Sequence, residues 1–278
     1  MLRLLSIELH KLKYNKSAKV ISIVYFILIT FIALISSIEF NFGDFHFRIA
    51  DQGIFNFPFI WHFNTYIAAI LKLFLAIVIV SMMANEYSNR TLKQNLIDGL
   101  SKKEFVLSKF LTVILFSVIS TLFVFGVSLI LGLMFSDYNE IGIIFSDIEY
   151  LFAYFIKLIG FFSFCLFLGV LVKRSAFALG FLLIWSIAEG IIYSVFKWKV
   201  FKDTDIAESI MQFFPLASMS NLIKEPFSRL GAVQSAANQL GEAFDKDYSV
   251  QPLTILIVLG WTFLFVYGSY YILKRRDL

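Results

Sequence analysis

Residues Asn85 to Phe110 read NEYSNRTLKQNLIDGLSKKEFVLSKF, the most polar stretch in the first two hundred residues. It separates an apolar run ending AIVIVSMMA from another reading LTVILFSVISTLFVFGVSLILGLMF. Inside it, Leu92, Leu96 and Leu100 recur every four residues with Ile97 beside them, the spacing of a short amphipathic helix over Thr91–Asp98. Gly99 follows where a helix commonly ends in left-handed backbone. Ser101 and Glu104 then have the spacing of a capping box, flanked by Leu100 and Phe105 at the positions of a hydrophobic staple. The pattern predicts a helix, a glycine-dependent corner and the start of a further helix. It is a built elbow, not a slack loop.

The two flanking runs belong to a set of six. Apolar residues make up 59% of the chain, against roughly 45–50% in soluble domains. The 34 phenylalanines exceed what one soluble core of this size can bury. Six runs approach the roughly 17–25 residues that cross a bilayer: Val20–Ile38, Tyr66–Ala84, Thr112–Phe135, Leu151–Val172, Ser175–Phe196 and Leu253–Leu273. This predicts an all-α integral membrane protein with six transmembrane helices, in a single domain over residues 1–278. The first run is longer than the roughly 7–15 residues of a signal-peptide core and no clear A-x-A site follows it, so it is expected to be retained. Cys165 is the single cysteine and lies inside the fourth run, so no disulfide framework is expected.

Charge sets the expected orientation. One side of the membrane collects the N-terminal segment, the elbow, Lys173–Arg174 and the C-terminal tail, with 15 Lys and Arg against five acidic residues. The other side carries seven basic and fourteen acidic residues. Basic residues resist translocation, which predicts both termini in the cytoplasm. The net charge of +4 is thus a side-to-side asymmetry, and no basic patch fit to grip nucleic-acid phosphates is present. The N-terminal segment MLRLLSIELHKLKYNKSAK places Leu2, Leu5, Leu9 and Leu12 on one face, predicting an amphipathic helix lying on the membrane surface.

Two outer segments are long enough to carry structure. Glu39–Thr65 is dense in aromatic residues and is expected to lie flat on the outer surface or plug into the bundle. His46 and His62 within it are too isolated to propose as metal ligands. In Lys197–Gln251, the apolar IAESIMQFFPLASMSNLI is interrupted by Pro215, as in a re-entrant or interfacial helical hairpin. Leu230, Val233, Ala237 and Leu240 then mark one side of an amphipathic helix ending near Phe244.

The arrangement resembles the type-two permeases of ATP-binding-cassette (ABC) exporters. The residues that carry the resemblance are Glu86 after the second span, Arg90-Thr91, Gly99-Leu100-Ser101-Lys102-Lys103 at the turn, and Lys109 entering the third span. The sequence departs from the family pattern in having Arg90 where glycine is frequent and no proline at the turn. The resemblance implies that Thr91–Asp98 is a coupling helix seated in a separate ABC ATP-binding subunit, offering Glu86, Asn89, Arg90, Thr91, Leu92, Asn95, Leu96, Asp98 and Gly99, with Lys173 and Arg174 as a second contact. The exposed surface is expected to combine Glu86, Asn89, Arg90, Asn95 and Asp98 with a leucine edge. It further implies a homodimer, or a pairing with a similar permease, in a bacterial cytoplasmic membrane, with a hairpin capping the path outside. ATP and magnesium would be held by the partner, and this chain would bind no cofactor.

The motifs that are missing agree. The chain has no G-x-x-x-x-G-K-[ST] loop to hold nucleotide phosphates, and no H-E-x-x-H or G-x-S-x-G pattern. It is therefore read as a non-enzymatic transport subunit. The competing reading is a secondary transporter driven by an ion gradient, which calls for internal repeats and midplane carboxylates. No repeat is seen. Three ionisable residues do lie inside the spans, Lys72, Lys157 and Glu189, each about 9 Å below the outer boundary at a 1.5 Å rise per residue. They are expected to form a polar layer, with Glu189 paired to one of the lysines; snorkelling lysines are the alternative.

Overall fold

A computed structural model describes residues 2–42, 45–48, 52–202, 205–239 and 246–276. Helix α1 (Leu2–Tyr14) breaks at Asn15, whose side chain accepts from the Ala18 amide at 3.1 Å and so caps the start of α2 (Lys16–Ser37). A two-stranded antiparallel hairpin follows, β1 (Glu39–Phe42) and β2 (Phe45–Arg48), with Glu39 opposite Arg48 and Phe42 opposite Phe45. It is the one addition to the otherwise helical architecture among the described residues. Then come α3 (Phe59–Ser88), α4 (Thr91–Ile97), α5 (Lys102–Phe135), the single turn α6 (Ile141–Ile144), α7 (Glu149–Val172) and α8 (Ser175–Val195). The segment before the last span holds α9 (Ile206–Met211), α10 (Pro215–Asn221) and α11 (Gly231–Gln239). Helix α12 (Pro252–Arg275) opens on a proline, which suits a first helical position because its missing amide would be unbonded there anyway.

Six helices are long and apolar enough to cross a membrane: α2, α3, α5, α7 with the turn before it, α8 continued by a short π-helical turn, and α12. Each apolar run lies in one of them, but several helices extend well beyond the run. α3 starts seven residues before Tyr66, through the aromatic stretch 59–65, and α5 ten before Thr112, because backbone hydrogen bonding continues beyond the apolar run once a helix is nucleated. At 1.5 Å per residue α5 is about 50 Å long, so it projects beyond a hydrocarbon layer of about 30 Å.

Helix α7 is the centre of the bundle. It packs against α3, α5, α8 and α12, and side chains on all of its faces are buried, Tyr154, Leu158, Phe162, Cys165 and Leu168 among them. The peripheral helices α2, α5, α8 and α12 instead expose rows of large apolar residues such as Phe31, Leu122, Ile184 and Phe263, as a lipid-facing surface requires. Midway, the Tyr25 hydroxyl bonds those of Ser120 (2.5 Å) and Tyr154 (2.7 Å), satisfying three polar groups where no water is at hand.

The aromatic segment between α2 and α3 plugs into the bundle over residues 54–61, where Ile54, Phe55, Phe57, Ile60 and Trp61 are fully buried. Trp61 donates its indole N–H to the Ile144 carbonyl at 2.7 Å and stacks on Phe125. Phe57 sits directly over Gly132 of α5: a Cβ there would lie 2.2 Å from the tip of the ring. Gly132→Ala is accordingly expected to overpack this end and cost about 1–3 kcal/mol, read as a lowered midpoint of thermal unfolding.

Candidate functional site

The elbow forms as its spacing predicts, and its angles show why. Helix α4 ends in a Schellman motif: the Leu100 amide bonds the Asn95 carbonyl at 3.0 Å and the Gly99 amide bonds that of Leu96 at 3.2 Å. Gly99 takes φ +94 and nothing lies within 4 Å of where its Cβ would be. Backbone angle, not space, demands the glycine. Ser101 then closes a reciprocal capping box, its hydroxyl accepting from the Glu104 amide (3.2 Å) and its own amide donating to the Glu104 carboxylate (3.0 Å). At the other end of α4, Arg90 adopts φ 56, a left-handed conformation that costs an L-residue about 1–2 kcal/mol. This is the position where the resembling permeases favour glycine.

The two faces of α4 differ from the expected docking surface. Leu92 is buried and Leu96 and Leu100 are half-buried, packed on the main core, so the leucine edge faces the bundle. Glu86 is also buried, and Asn95 is half-buried beside it. The residues that stand clear are Asn89, Arg90, Lys93, Gln94, Ile97, Asp98 and Gly99, with Ile97 70% exposed at the tip. The correction has a simple cause: an amphipathic stripe marks an apolar face but does not say whether its own bundle or a partner covers it.

Glu86 lies at the centre of a buried charge network joining four helices. Its Oε1 accepts from Lys109 Nζ of α5 at 2.5 Å and from Lys11 Nζ of α1 at 2.8 Å. Its Oε2 accepts from the Thr91 hydroxyl at 2.6 Å and the Asn95 amide at 3.4 Å, both on α4. Lys109 also reaches Glu8 of α1 at 2.6 Å, and Lys11 approaches Glu8 at 3.4 Å. Glu8, Glu86 and Lys109 are almost wholly enclosed, and Lys11 closes the network from its solvent side. Burial works against the Lys11 ammonium, but hydrogen bonding to Glu86 and the charges of Glu8 and Glu86 outweigh it and hold its pKa above the ordinary lysine value. Two cations and two carboxylates balance, which is what makes their burial tolerable.

The same end of the bundle is fastened at a second place. Lys173, in left-handed backbone at φ 64, and Arg174 form the tight exposed turn between α7 and α8. Arg276, just past α12, donates to the Val170 and Leu171 carbonyls at the end of α7 and to the Tyr87 hydroxyl of α3. The Lys173 ammonium lies 5.6 Å over the same Tyr87 ring. Lys102 donates to the Arg276 carbonyl at 2.9 Å, tying α5 to this group.

At the opposite end, Lys72, Lys157 and Glu189 do not pair as expected. Glu189 of α8 accepts from the Leu216 and Ala217 amides at 3.2 and 2.8 Å and from the Trp185 indole at 2.7 Å. It therefore caps α10 across helices, where Phe214 supplies no side-chain cap. Lys157, buried in α7, lies 3.4 Å from the Ser220 carbonyl near the far end of α10. A carboxylate at its N-terminus and the Lys157 amine at its C-terminus meet backbone groups at both ends of this short helix. Lys72 donates to the Ala69 carbonyl at 3.0 Å and lies 4.8 Å over the Phe161 ring. The pairing expectation failed because backbone ends, invisible as charges in sequence, took the partners.

The interrupted segment does form two short helices, α9 and α10, with Pro215 as the first residue of the second and Ser218, Met219, Leu222 and Ile223 buried. Of the helix marked by Leu230, Val233, Ala237 and Leu240, α11 carries the middle part; Leu240 and the expected end near Phe244 lie outside the described residues. His62, set aside as a ligand, is a structural residue: it is buried, stacks on Tyr150 and bonds the Lys224 carbonyl at 2.9 Å and Arg229 at 3.0 Å.

Glu8 and Lys11 were missed from sequence. The available signal was a lone acid three residues before a lysine in an otherwise basic amphipathic segment. The face that α1 turns inward carries Leu5, Glu8, Lys11 and Leu12, while Leu9 of the expected stripe is exposed.

Comparison with curated proteins finds no match. A family model described as ABC-2 family transporter protein matches residues 50–271. Because that match takes in the elbow and every spanning helix after the first, the chain belongs to this family and is a membrane-spanning permease subunit of an ABC transporter, a transport component distinct from the ATPase.

Proposed function

We propose that the chain is the permease of an ABC exporter, that it works as a homodimer, and that α4 is the coupling helix seated in a separate ATP-binding subunit. The observation that carries this is the two-sidedness of the elbow. Its inner face is locked to the bundle by Leu92 and Glu86, while Ile97, Asp98 and their neighbours project from a Schellman corner with no covering. An apolar tip ringed by polar residues is the composition of a small interface core with a polar rim. The Lys173–Arg174 turn, at the same end, is a second contact. The charge asymmetry supports a cytoplasmic position for this end; on this reading the membrane is a bacterial inner membrane, with α1 on its surface presenting its exposed Ile7 and Leu9 to lipid.

The dimer reading rests on where space is found. The centre of the bundle is filled by α7, whereas α8 presents an exposed apolar face along Ile187, Gly190, Ile191 and Trp198, open to lipid or to a second copy. A substrate path between two copies fits that distribution, with α9 and α10 capping it outside. ATP and magnesium belong to the ATPase subunit on this reading, and this chain binds neither.

The test is co-purification with a cassette ATPase. Wild-type permease is expected to retain it, and Ile97→Asp to lose it while keeping its own unfolding midpoint, because Ile97 makes no core contact worth counting at 70% exposure. Undiminished retention by Ile97→Asp would remove α4 from the interface. Transport by the purified chain in an ion gradient without ATP would favour a secondary transporter instead.

A further inference from the structure

The charge network invites a question that docking alone does not answer: why bury Glu8. A helix held on the membrane surface by lipid contacts needs no enclosed carboxylate, and enclosing one is costly unless it is paired. Glu8 is paired, to a lysine that has its own second carboxylate on another helix.

We infer that Glu86, Lys109 and Glu8 are positioning residues that make the N-terminal helix α1 move together with α4, so that displacement of the elbow reaches the first span. This deepens the coupling reading above and rests on it. The path is short and continuous. Thr91 and Asn95 of α4 hold one oxygen of Glu86; Lys109 holds the other; Lys109 also holds Glu8. Asn15 then joins α1 to α2 with no intervening loop, its amide still bonded to the Lys11 carbonyl at 3.1 Å and its side chain capping α2.

Every step from α4 to α1 is a hydrogen bond to a charged group inside a nearly closed site. Such bonds are stronger than neutral ones, and they hold geometry better where water does not compete. Lys109 can shift away from Glu8 only by leaving it to Lys11 alone, at 3.4 Å. Helix α1, helix α5 that carries Lys109, and the end of α3 that carries Glu86 are therefore expected to respond as one unit. Packing of Leu5 and Leu12 alone would allow α1 to slide, since apolar contact is not directional.

The experiment uses the permease with its ATPase subunit in lipid nanodiscs, followed by hydrogen–deuterium exchange over residues 2–14 and 91–99 with and without ATP and magnesium. In the wild type, nucleotide is expected to change exchange in both segments. In Glu8→Gln the ATPase stays bound, residues 91–99 still respond, and the nucleotide-dependent change over residues 2–14 is lost, whatever the level of their exchange without nucleotide. Glu8→Gln removes one carboxylate while leaving Lys109 paired with Glu86. Should that variant fail to assemble, Glu8→Asp keeps the charge and withdraws it by one methylene, and is expected to weaken the same response. A full response of residues 2–14 in either variant would overturn the proposal, as would a wild type in which residues 91–99 respond and 2–14 do not. A wild type that retains no ATPase, or whose residues 91–99 ignore nucleotide, would overturn the coupling reading itself, a distinguishable failure.

Discussion

Replacing Lys109 by methionine is expected to cost the folded permease about 3–5 kcal/mol, the scale seen when one member of a buried ion pair is removed. Glu8 and Glu86 would then share an enclosed site with only Lys11, which stands partly in solvent and meets Glu8 at 3.4 Å. One carboxylate would lose its main partner outright. Thermal unfolding in detergent should show the fall directly. Adding Glu8→Gln and Glu86→Gln to the same chain is expected to recover much of it, because the enclosed groups are then neutral and the charge that remains, on Lys11, stands partly in solvent. An unfolding midpoint for Lys109→Met equal to wild type would mean that these groups are not enclosed together.

The second large effect is expected at Glu189. Its carboxylate accepts two backbone amides at the start of α10 and the Trp185 indole, so Glu189→Leu leaves three donors without their acceptor. A buried donor left unsatisfied costs about 1–3 kcal/mol, and these three, being partly buried, should each cost less. Since α10 has seven residues and no cap of its own, the loss should appear locally before it appears globally. Amide exchange across residues 215–221 is expected to rise sharply, with Trp185 fluorescence shifting as its N–H loses its partner. Glu189→Gln should fall between, because one amide oxygen still accepts while the added NH2 faces other donors. Exchange over 215–221 unchanged in Glu189→Leu would show that α10 stands without this cap.

The two sites show what sequence could and could not disclose. Local features were legible: the capping box of Ser101 and Glu104, the left-handed Gly99 and the six apolar runs all depend on neighbours close in the chain. The burial of Glu86 was not, since it follows from Lys109 and from Glu8, which lies far away in sequence. Glu189 was misread for a related reason. Its partners are main-chain amides, which no side-chain pattern records. The leucines of α4 were correctly placed on one face but assigned to the wrong neighbour, because periodicity fixes a direction around the helix and nothing beyond it.

The position of α7 has a bearing on how such a bundle can move. Enclosed over residues 153–170, it has little lipid to shift into and is placed to serve as an axle for the helices around it. Two of its close approaches fall at glycines: a Cβ at Gly160 would lie 2.7 Å from Val258 of α12, and one at Gly169 2.9 Å from Met83 of α3. These are bearing points, bare of side chain, where a neighbour can rotate a little without a methyl group catching in a groove.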